Sequence, residues 1–131
     1  MQNKLFGSSG IRAVVNKQLT PTLTLQTGLA IATYTNQGKT LVAHDARTSS
    51  QMLQNAVTSG LLSGGSNVYK LGLLPTPVLA FLTKKLRAKC GVMITASHNP
   101  PEYNGIKIFN QDSTPYNQKQ QNKIEEIIGK G

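Results

Sequence analysis

The chain has 131 residues, enough for one domain with a real core and too few for two ordinary ones. Its apolar residues, 38% of the total, gather in short runs separated by Gln, Asn, Ser and Thr, which excludes a disordered tail and reads as a soluble globular domain. Fourteen basic residues against five acidic ones give a net charge of +9, an excess that invites an anionic partner: nucleic acid, a membrane surface or a phosphorylated small molecule. The positive residues are spread along the chain. The densest group, Lys84, Lys85, Arg87 and Lys89, reads as the exposed end of a helix. Four tyrosines, three phenylalanines and no recognised nucleic-acid motif argue against DNA or RNA, and the acidic counterpart could equally lie on another part of the protein. The single cysteine, Cys90, rules out a disulfide within the chain and a Cys-His metal cluster, and fits a cytoplasmic setting. The start "MQNKLFGSSG" lacks the apolar core of a signal peptide, and no apolar run approaches the roughly 18 residues of a membrane span.

In chain order, "LTPTLTLQTGLAIATYTNQGK" predicts a helix. Thr20 is placed to cap it, Pro21 suits its first turn, Leu25, Leu29 and Ala32 recur on one face, and Gly38 marks the exit. "TLVAHD" predicts a short buried strand, Leu41 to Ala43. "SSQMLQNAVTSGLLSGG" returns to helical spacing, with Leu53, Ala56, Val57, Gly60 and Leu61 on one face, a serine capping its start and Gly64-Gly65 ending it. "NVYKLG" is the next strand, "TPVLAFLTKKLRA" a helix opened by Thr76 and Pro77, and "GVMIT" and "GIKIF" two further strands. "NQKQQNKIEEIIGKG" closes the chain as a polar helix with Ile124, Ile127 and Ile128 inward and Gly129 past its end. Strands alternating with helices predict a single α/β domain over residues 1–131, a three-layer α/β/α sandwich. The last two strands are joined without a crossover helix. That pair is therefore expected to be antiparallel or otherwise closely joined, and the sheet small, mixed and four-stranded.

Function in an open α/β sheet collects on loops at one edge. Four loops have a composition suited to it and could converge: "FGSSGIR", "HDARTSS", "GLLPTP" and "TASHNPPEYNG". In the last, Ser97 has His98 beside it, Asn99 as a donor and Lys107 at the start of the next strand. Pro100 and Pro101 stiffen the turn, and Gly105 permits a backbone conformation that other residues dislike. A rigid loop presenting one hydroxyl among cationic groups suits a covalent phosphoryl carrier, because serine is a poor nucleophile until something takes its proton or holds its product. An ordinary Asn-Pro turn with incidental polar neighbours fits the same residues. A hydrolase triad fits worse: there is no Gly-x-Ser-x-Gly elbow, and adjacent residues rarely form a Ser-His hydrogen bond. His44, the other histidine, reads as a loop residue and not a base.

"FGSSGIR" offers Ser8, Ser9 and two glycines, through which backbone N–H groups could approach an anion, and Arg12, whose guanidinium pairs phosphate oxygens bidentately; a plain loop has the same composition. "HDARTSS" ends at a helix start, where free N–H groups favour an anion. Simple capping by Ser49 or Ser50, with Asp45 and Arg47 as a structural ion pair, is the preferred reading there. "LPTP" reads as a strand-to-helix turn with Thr76 as cap.

Taken together and in this order, the four loops resemble the N-terminal α/β/α domain of the α-D-phosphohexomutases, the phosphoglucomutase, phosphomannomutase and phosphoglucosamine mutase superfamily. "TASHNP" followed by "YNGIK" resembles the family's phosphoserine loop, the most specific of the signatures. "FGSSGIR" is similar to its N-terminal loop, "HDARTSS" to its Asp-x-Arg-x-Ser segment and "GLLPTP" to its Gly-x-x-Pro-Thr-Pro turn. The likeness covers essentially the whole chain and has the flavour of the archaeal and bacterial branch. Ala13 stands where the family usually has glycine, a departure of little expected consequence.

The resemblance implies an intramolecular phosphotransferase. Ser97 would be phosphorylated in the resting enzyme. It would give its phosphoryl group to a hexose phosphate and take the other phosphate back from the resulting bisphosphate, so that phosphate moves between the 1 and 6 positions. His98 and Lys107 match positions that assist proton transfer, Arg12 an arginine that stabilises the moving charge, and Ser8, Ser9 and Asn99 phosphate-binding positions. The implied cofactor is Mg²⁺, with the Ser97 phosphate giving one ligand oxygen. The family's Asp-x-Asp-x-Asp metal loop, its sugar-specificity loop and its substrate-phosphate loop belong to three further domains absent from this sequence. The expectation is therefore the first, catalytic-serine domain of a four-domain enzyme, inactive alone, whose partners are hexose phosphates, a hexose bisphosphate and the missing domains of the same polypeptide, with no nucleic acid and no membrane. The alternative is a sugar-phosphate or anion-binding module without turnover; a basic nucleic-acid-binding domain is the third reading.

Overall fold

The structure, a computed structural model, describes residues 5–7 and 10–130. Its elements run β1 (Phe6–Gly7), β2 (Gly10–Val14), α1 (Pro21–Thr35), β3 (Gly38–His44), α2 (Ser50–Ser63), β4 (Ser66–Leu73), α3 (Thr76–Lys85), β5 (Cys90–Ile94), β6 (Tyr103–Asn110) and α4 (Gln118–Gly129). The strands form one mixed sheet in the order β1-β2-β6-β5-β3-β4. β3 lies parallel to both β4 and β5, and the remaining neighbours are antiparallel, including the expected β5–β6 pair. The three-layer sandwich is present, but its sheet has six strands and not four. The two extra strands are β1 and β2, both within the glycine-broken start of the chain, and β1 is only two residues long.

Alternation along the strands divides the core in two. Cys90, Val92 and Ile94 of β5 join Val42, Ile106 and Ile108 on the side covered by α1, α2 and α4. Leu41, Ala43, Met93 and Phe109 face the other way and meet Leu79 of α3. Both faces of the central strands are covered, so these strands read as continuous apolar runs. Each of the Val, Leu, Ile, Met and Phe side chains among these contributes about 1.5–3 kcal/mol on full burial.

The helices obey their local signals at some ends and not at others. Thr20 caps α1, accepting from Leu23 N–H at 3.1 Å. Of the expected face of α1 only Ala32 is buried: Leu25 is 40% and Leu29 37% exposed, while Thr24, Thr27, Gly28 and Ile31 are buried instead. Gly28 and Gly60 explain this. A Cβ at Gly28 would strike the Val57 carbonyl, and one at Gly60 the Leu25 carbonyl, so α1 and α2 touch backbone to backbone and leave no room for leucines. The buried threonine hydroxyls donate to their own helix, Thr24 to Thr20 O and Thr27 to Leu23 O, each at 2.8 Å. Asn36, left-handed at φ 55°, closes α1, and Gly38 already opens β3 at φ 103°. At α2 the capping reading fails, since Ser49 makes no cap bond and Ser50 Oγ turns away to Asp45. At α3 the cap position belongs to Pro75, not Thr76. Gly64 closes α2 as expected. In α4 Ile124 is buried and Ile127 and Ile128 partly so, but the helix includes Gly129 and ends at Lys130. Lys84, Lys85, Arg87 and Lys89 are exposed at and beyond the end of α3. Among the described residues, no helix is long and apolar enough to cross a membrane.

Because β3, β4 and β5 are parallel, the loops after them leave from one sheet edge. β6 begins and β2 ends at that same edge, where Val14 pairs with Tyr103. Three of the four unusual loops thus meet. The described part of the fourth stretch lies in β1 and β2, with Gly7 opposite Gly10 at the other end of β2 and Arg12 within β2 opposite Gly105.

Candidate active site

Ser97 stands exposed just beyond β5 with φ 57°, in the left-handed region that side chains other than glycine avoid. Its backbone is held on both sides. Ser97 N–H donates to Thr95 Oγ1 at 3.0 Å, and its carbonyl accepts from Arg47 Nη2 at 2.9 Å. The following turn is closed by Asn99 N–H to Ala96 O at 3.1 Å and Tyr103 N–H to Pro100 O at 3.0 Å.

Arg47 reaches across from the loop after β3 and occupies the inside of this turn. Nη2 donates to Ser97 O and, at 2.7 Å, to Asn99 O; Nη1 donates to Pro100 O at 2.7 Å and Tyr103 O at 3.1 Å. Nε pairs with Asp45 Oδ2 at 3.3 Å. A guanidinium has four Nη–H groups, and all four are spent on these carbonyls, with Nε held only by the ion pair to Asp45. Asp45 is itself anchored: Oδ1 accepts from Ser50 Oγ at 2.5 Å and Arg47 N–H at 3.1 Å, and Oδ2 accepts from Thr95 Oγ1 at 2.8 Å. Burial alone would raise the Asp45 carboxyl, but the hydroxyls of Ser50 and Thr95 together with the amide and guanidinium of Arg47 outweigh it and hold the group below the usual aspartate range. Asn104, fully buried in β6, extends the network by donating to Ser49 Oγ and Ser50 Oγ, each at 2.9 Å, while its own oxygen accepts from Gly105 N–H at 2.8 Å.

Of the residues expected from sequence, Ser97 and Asn99 line one open depression of about 350 Å³ with Asp45, Ala46, Arg47 and Pro101. Arg12, exposed on β2, borders the neighbouring depression and touches the serine loop through Asn99, Nη1 donating to Oδ1 at 3.3 Å. His98 is exposed beside Ser97. Lys107 lies well inside β6, opposite Met93, and not at its start; its amine sits 5.4 Å from the centre of the Phe109 ring. Arg12 pairs with Gly105, so Arg12, Gly105 and Lys107 share one face of the sheet. The reason for glycine at 105 is space rather than φ: a Cβ would strike the carbonyls of Ile11 and Thr95 and lie 3.1 Å from Arg12 Cγ. His44 ends β3 and is not a loop residue; its Nδ1 donates to Asp45 O at 2.7 Å. Ser8 and Ser9 lie outside the described residues.

The sequence of residues 3–131 matches the family described as phosphoglucomutase/phosphomannomutase, alpha/beta/alpha domain I. The chain belongs to that family. The phosphoglucomutase/phosphomannomutase likeness extends to curated proteins: a "Probable phosphoglucosamine mutase" of Pyrococcus abyssi is 52% identical over 95% of this chain and 28% of its own length. A phosphopentomutase of Thermococcus kodakarensis is 52% identical over 98% of this chain and 28% of its own length. A crystal structure of a phosphoglucomutase/phosphomannomutase family protein from Burkholderia thailandensis superposes with a TM-score of 0.86 at 27% identity, over 97% of this chain and 30% of that one. The chain thus spans under a third of the length of these relatives.

Mg²⁺, which the phosphohexomutase resemblance implies, finds no ligand set among the described residues of this domain. Among the described residues there is no group of three His, Cys, Asp or Glu side chains able to hold a metal. Asp45, the carboxylate beside Ser97, has both oxygens engaged by the loop-holding network. The residues that sequence reading missed are those behind the serine: Arg47 as more than the partner of Asp45, and Thr95, Ser50 and Asn104. One signal was available for Arg47, because a Pro-rich turn leaves several carbonyls without partners in its own backbone, and those must be met from elsewhere.

Proposed function

We propose that Ser97 is the phosphoryl carrier of an intramolecular phosphotransferase that interconverts hexose 1-phosphate and hexose 6-phosphate through a hexose bisphosphate. The observation that carries this reading is the way Ser97 is held. Its backbone is locked in a strained conformation by two side chains, Thr95 beyond β5 and Arg47 beyond β3, while the residue itself is exposed. Strain over-determined by its surroundings clusters at functional positions. Phosphoryl transfer asks for positioning and positive charge more than for a strong base.

In the forward step the Oγ–P bond of phosphorylated Ser97 breaks as a sugar hydroxyl oxygen bonds to phosphorus. The hydroxyl proton leaves to a base, and the Ser97 oxygen recovers a proton. The return step reverses these changes with the other phosphate of the bisphosphate. Arg12 is assigned to the charge on the moving group; its one hydrogen bond among the described residues, to Asn99, leaves donors for phosphate oxygens. His98 and Lys107 are assigned to proton transfer, and Ser8, Ser9 and Asn99 to phosphate binding. Residues 1–131 act as the first domain of a longer enzyme. The sugar is chosen, and any Mg²⁺ largely held, by residues outside it.

The test uses the full-length protein incubated with glucose 1,6-bisphosphate, followed by peptide mapping. Phosphate on Ser97, together with loss of mutase turnover in Ser97→Ala, is expected. Turnover of a hexose 1-phosphate in the Ser97→Ala protein overturns the assignment. Calorimetric binding of the bisphosphate with no phosphate ever reaching Ser97 would mark an anion-binding module instead.

A further inference from the structure

We infer that Arg47 is a positioning residue for phosphoryl transfer: it sets the place of the Ser97 hydroxyl and does not itself bind phosphate. The inference rests on the reading of Ser97 as phosphoryl carrier. An arginine in a loop beside a phosphate-handling serine is ordinarily taken for a phosphate ligand. The geometry here assigns the opposite. All four of its Nη–H groups are held by the carbonyls of Ser97, Asn99, Pro100 and Tyr103, and its Nε forms an ion pair with Asp45 at 3.3 Å. Taking a phosphate would break one of these bonds and release part of the turn.

The same contacts explain how the left-handed Ser97 persists. Four carbonyls on a turn that contains Pro100 and Pro101 cannot be met by prolines, which have no N–H. A single planar fork meets all four at once. Asp45 fixes the fork's own orientation and is fixed in turn by Ser50 and Thr95, and Thr95 also holds Ser97 N–H. Arg47 thus ties the end of β3, the start of α2 and the serine loop into one rigid piece. Lysine keeps the charge but is a point donor with three N–H groups and cannot span the four acceptors.

The experiment compares full-length wild type, Arg47→Lys and Arg47→Gln. Mutase turnover of a hexose 1-phosphate, primed by glucose 1,6-bisphosphate, is followed as kcat and KM, and amide hydrogen exchange is followed across residues 95–104. A misplacement on the order of 1 Å costs about 100-fold in rate, so kcat is expected to fall about 100-fold in both variants. KM is expected to stay within about twofold, because no binding contact is lost. Exchange is expected to quicken in the serine loop while β5 keeps its protection. A raised KM with unchanged kcat would make Arg47 a phosphate ligand and overturn the inference, as would unchanged kcat with unchanged loop exchange. If wild type never phosphorylates Ser97, the mutase reading falls separately, and unchanged loop exchange in the variants still decides against the clamp. If neither variant folds, the wild-type guanidinium answers by nitrogen NMR. Separate, slowly exchanging Nη signals for Arg47 support a held fork, and a single averaged signal overturns it.

Discussion

Ser97 is one of six non-glycine residues with positive φ among the described residues, and the one at the candidate site. A left-handed residue with a Cβ costs about 1–2 kcal/mol, which glycine does not incur. Replacing Ser97 by glycine and by alanine should abolish phosphoryl transfer equally yet separate in stability. The glycine protein is expected to be about 1 kcal/mol the more stable in urea unfolding; equal stabilities would mean that Ser97 is not strained. Asp45 gives a pH signature. Its native pKa lies below the ordinary 3.8, so its contribution is complete above that value and is lost as pH falls through the lower native one. The gap in urea midpoint between wild type and Asp45→Asn should hold steady from pH 7 to about 5 and close below about 4. A gap that widens on acidification would contradict the hydrogen-bond pattern around Asp45.

Between elements, the decisive contact is α1 against α2. Gly28 and Gly60 let the two helices approach until only hydrogens separate their backbones, and this turns Leu25 and Leu29 outward. Gly60→Ala is expected to lose about 1–3 kcal/mol in urea denaturation, the range for overpacking a tight site. Gly129→Ala, with nothing within 4 Å, should cost nothing measurable. The same contact shows what was legible in the sequence. The helices, the central strands, the antiparallel β5–β6 pair and the isoleucine face of α4 followed from periodicity and turn residues. The face of α1 did not, because two glycines 32 positions apart decide it, and neither declares its partner. The site was legible in the same uneven way. Ser97, Arg12 and Asn99 were named from their motifs. Asn104 hid inside an Asn-Gly pair that imitates a turn and is in fact buried in β6. Arg47 hid because its acceptors lie some fifty residues away, on a loop whose shape no local pattern states.

At the scale of the whole molecule, the sheet is continuous from β1 to β4, and Arg12 owes its place to a hairpin added beside β6. Cys90 sits in the middle of this sheet, fully buried, its thiol pushed up to about 12 by burial. The folded protein should therefore resist maleimide, and labelling should follow the urea unfolding curve; rapid labelling in native buffer would show that β5 opens locally. The inward turn of the serine loop has one more effect. Every peptide group is a small dipole whose oxygen end repels an anion. The oxygens of Ser97, Asn99, Pro100 and Tyr103 are all covered by Arg47. If Ser97 carries phosphate as proposed, an approaching dianion would meet a turn whose repulsive poles are already paired with a guanidinium, and the loop would owe its receptiveness to an arginine that binds the turn and not the phosphate.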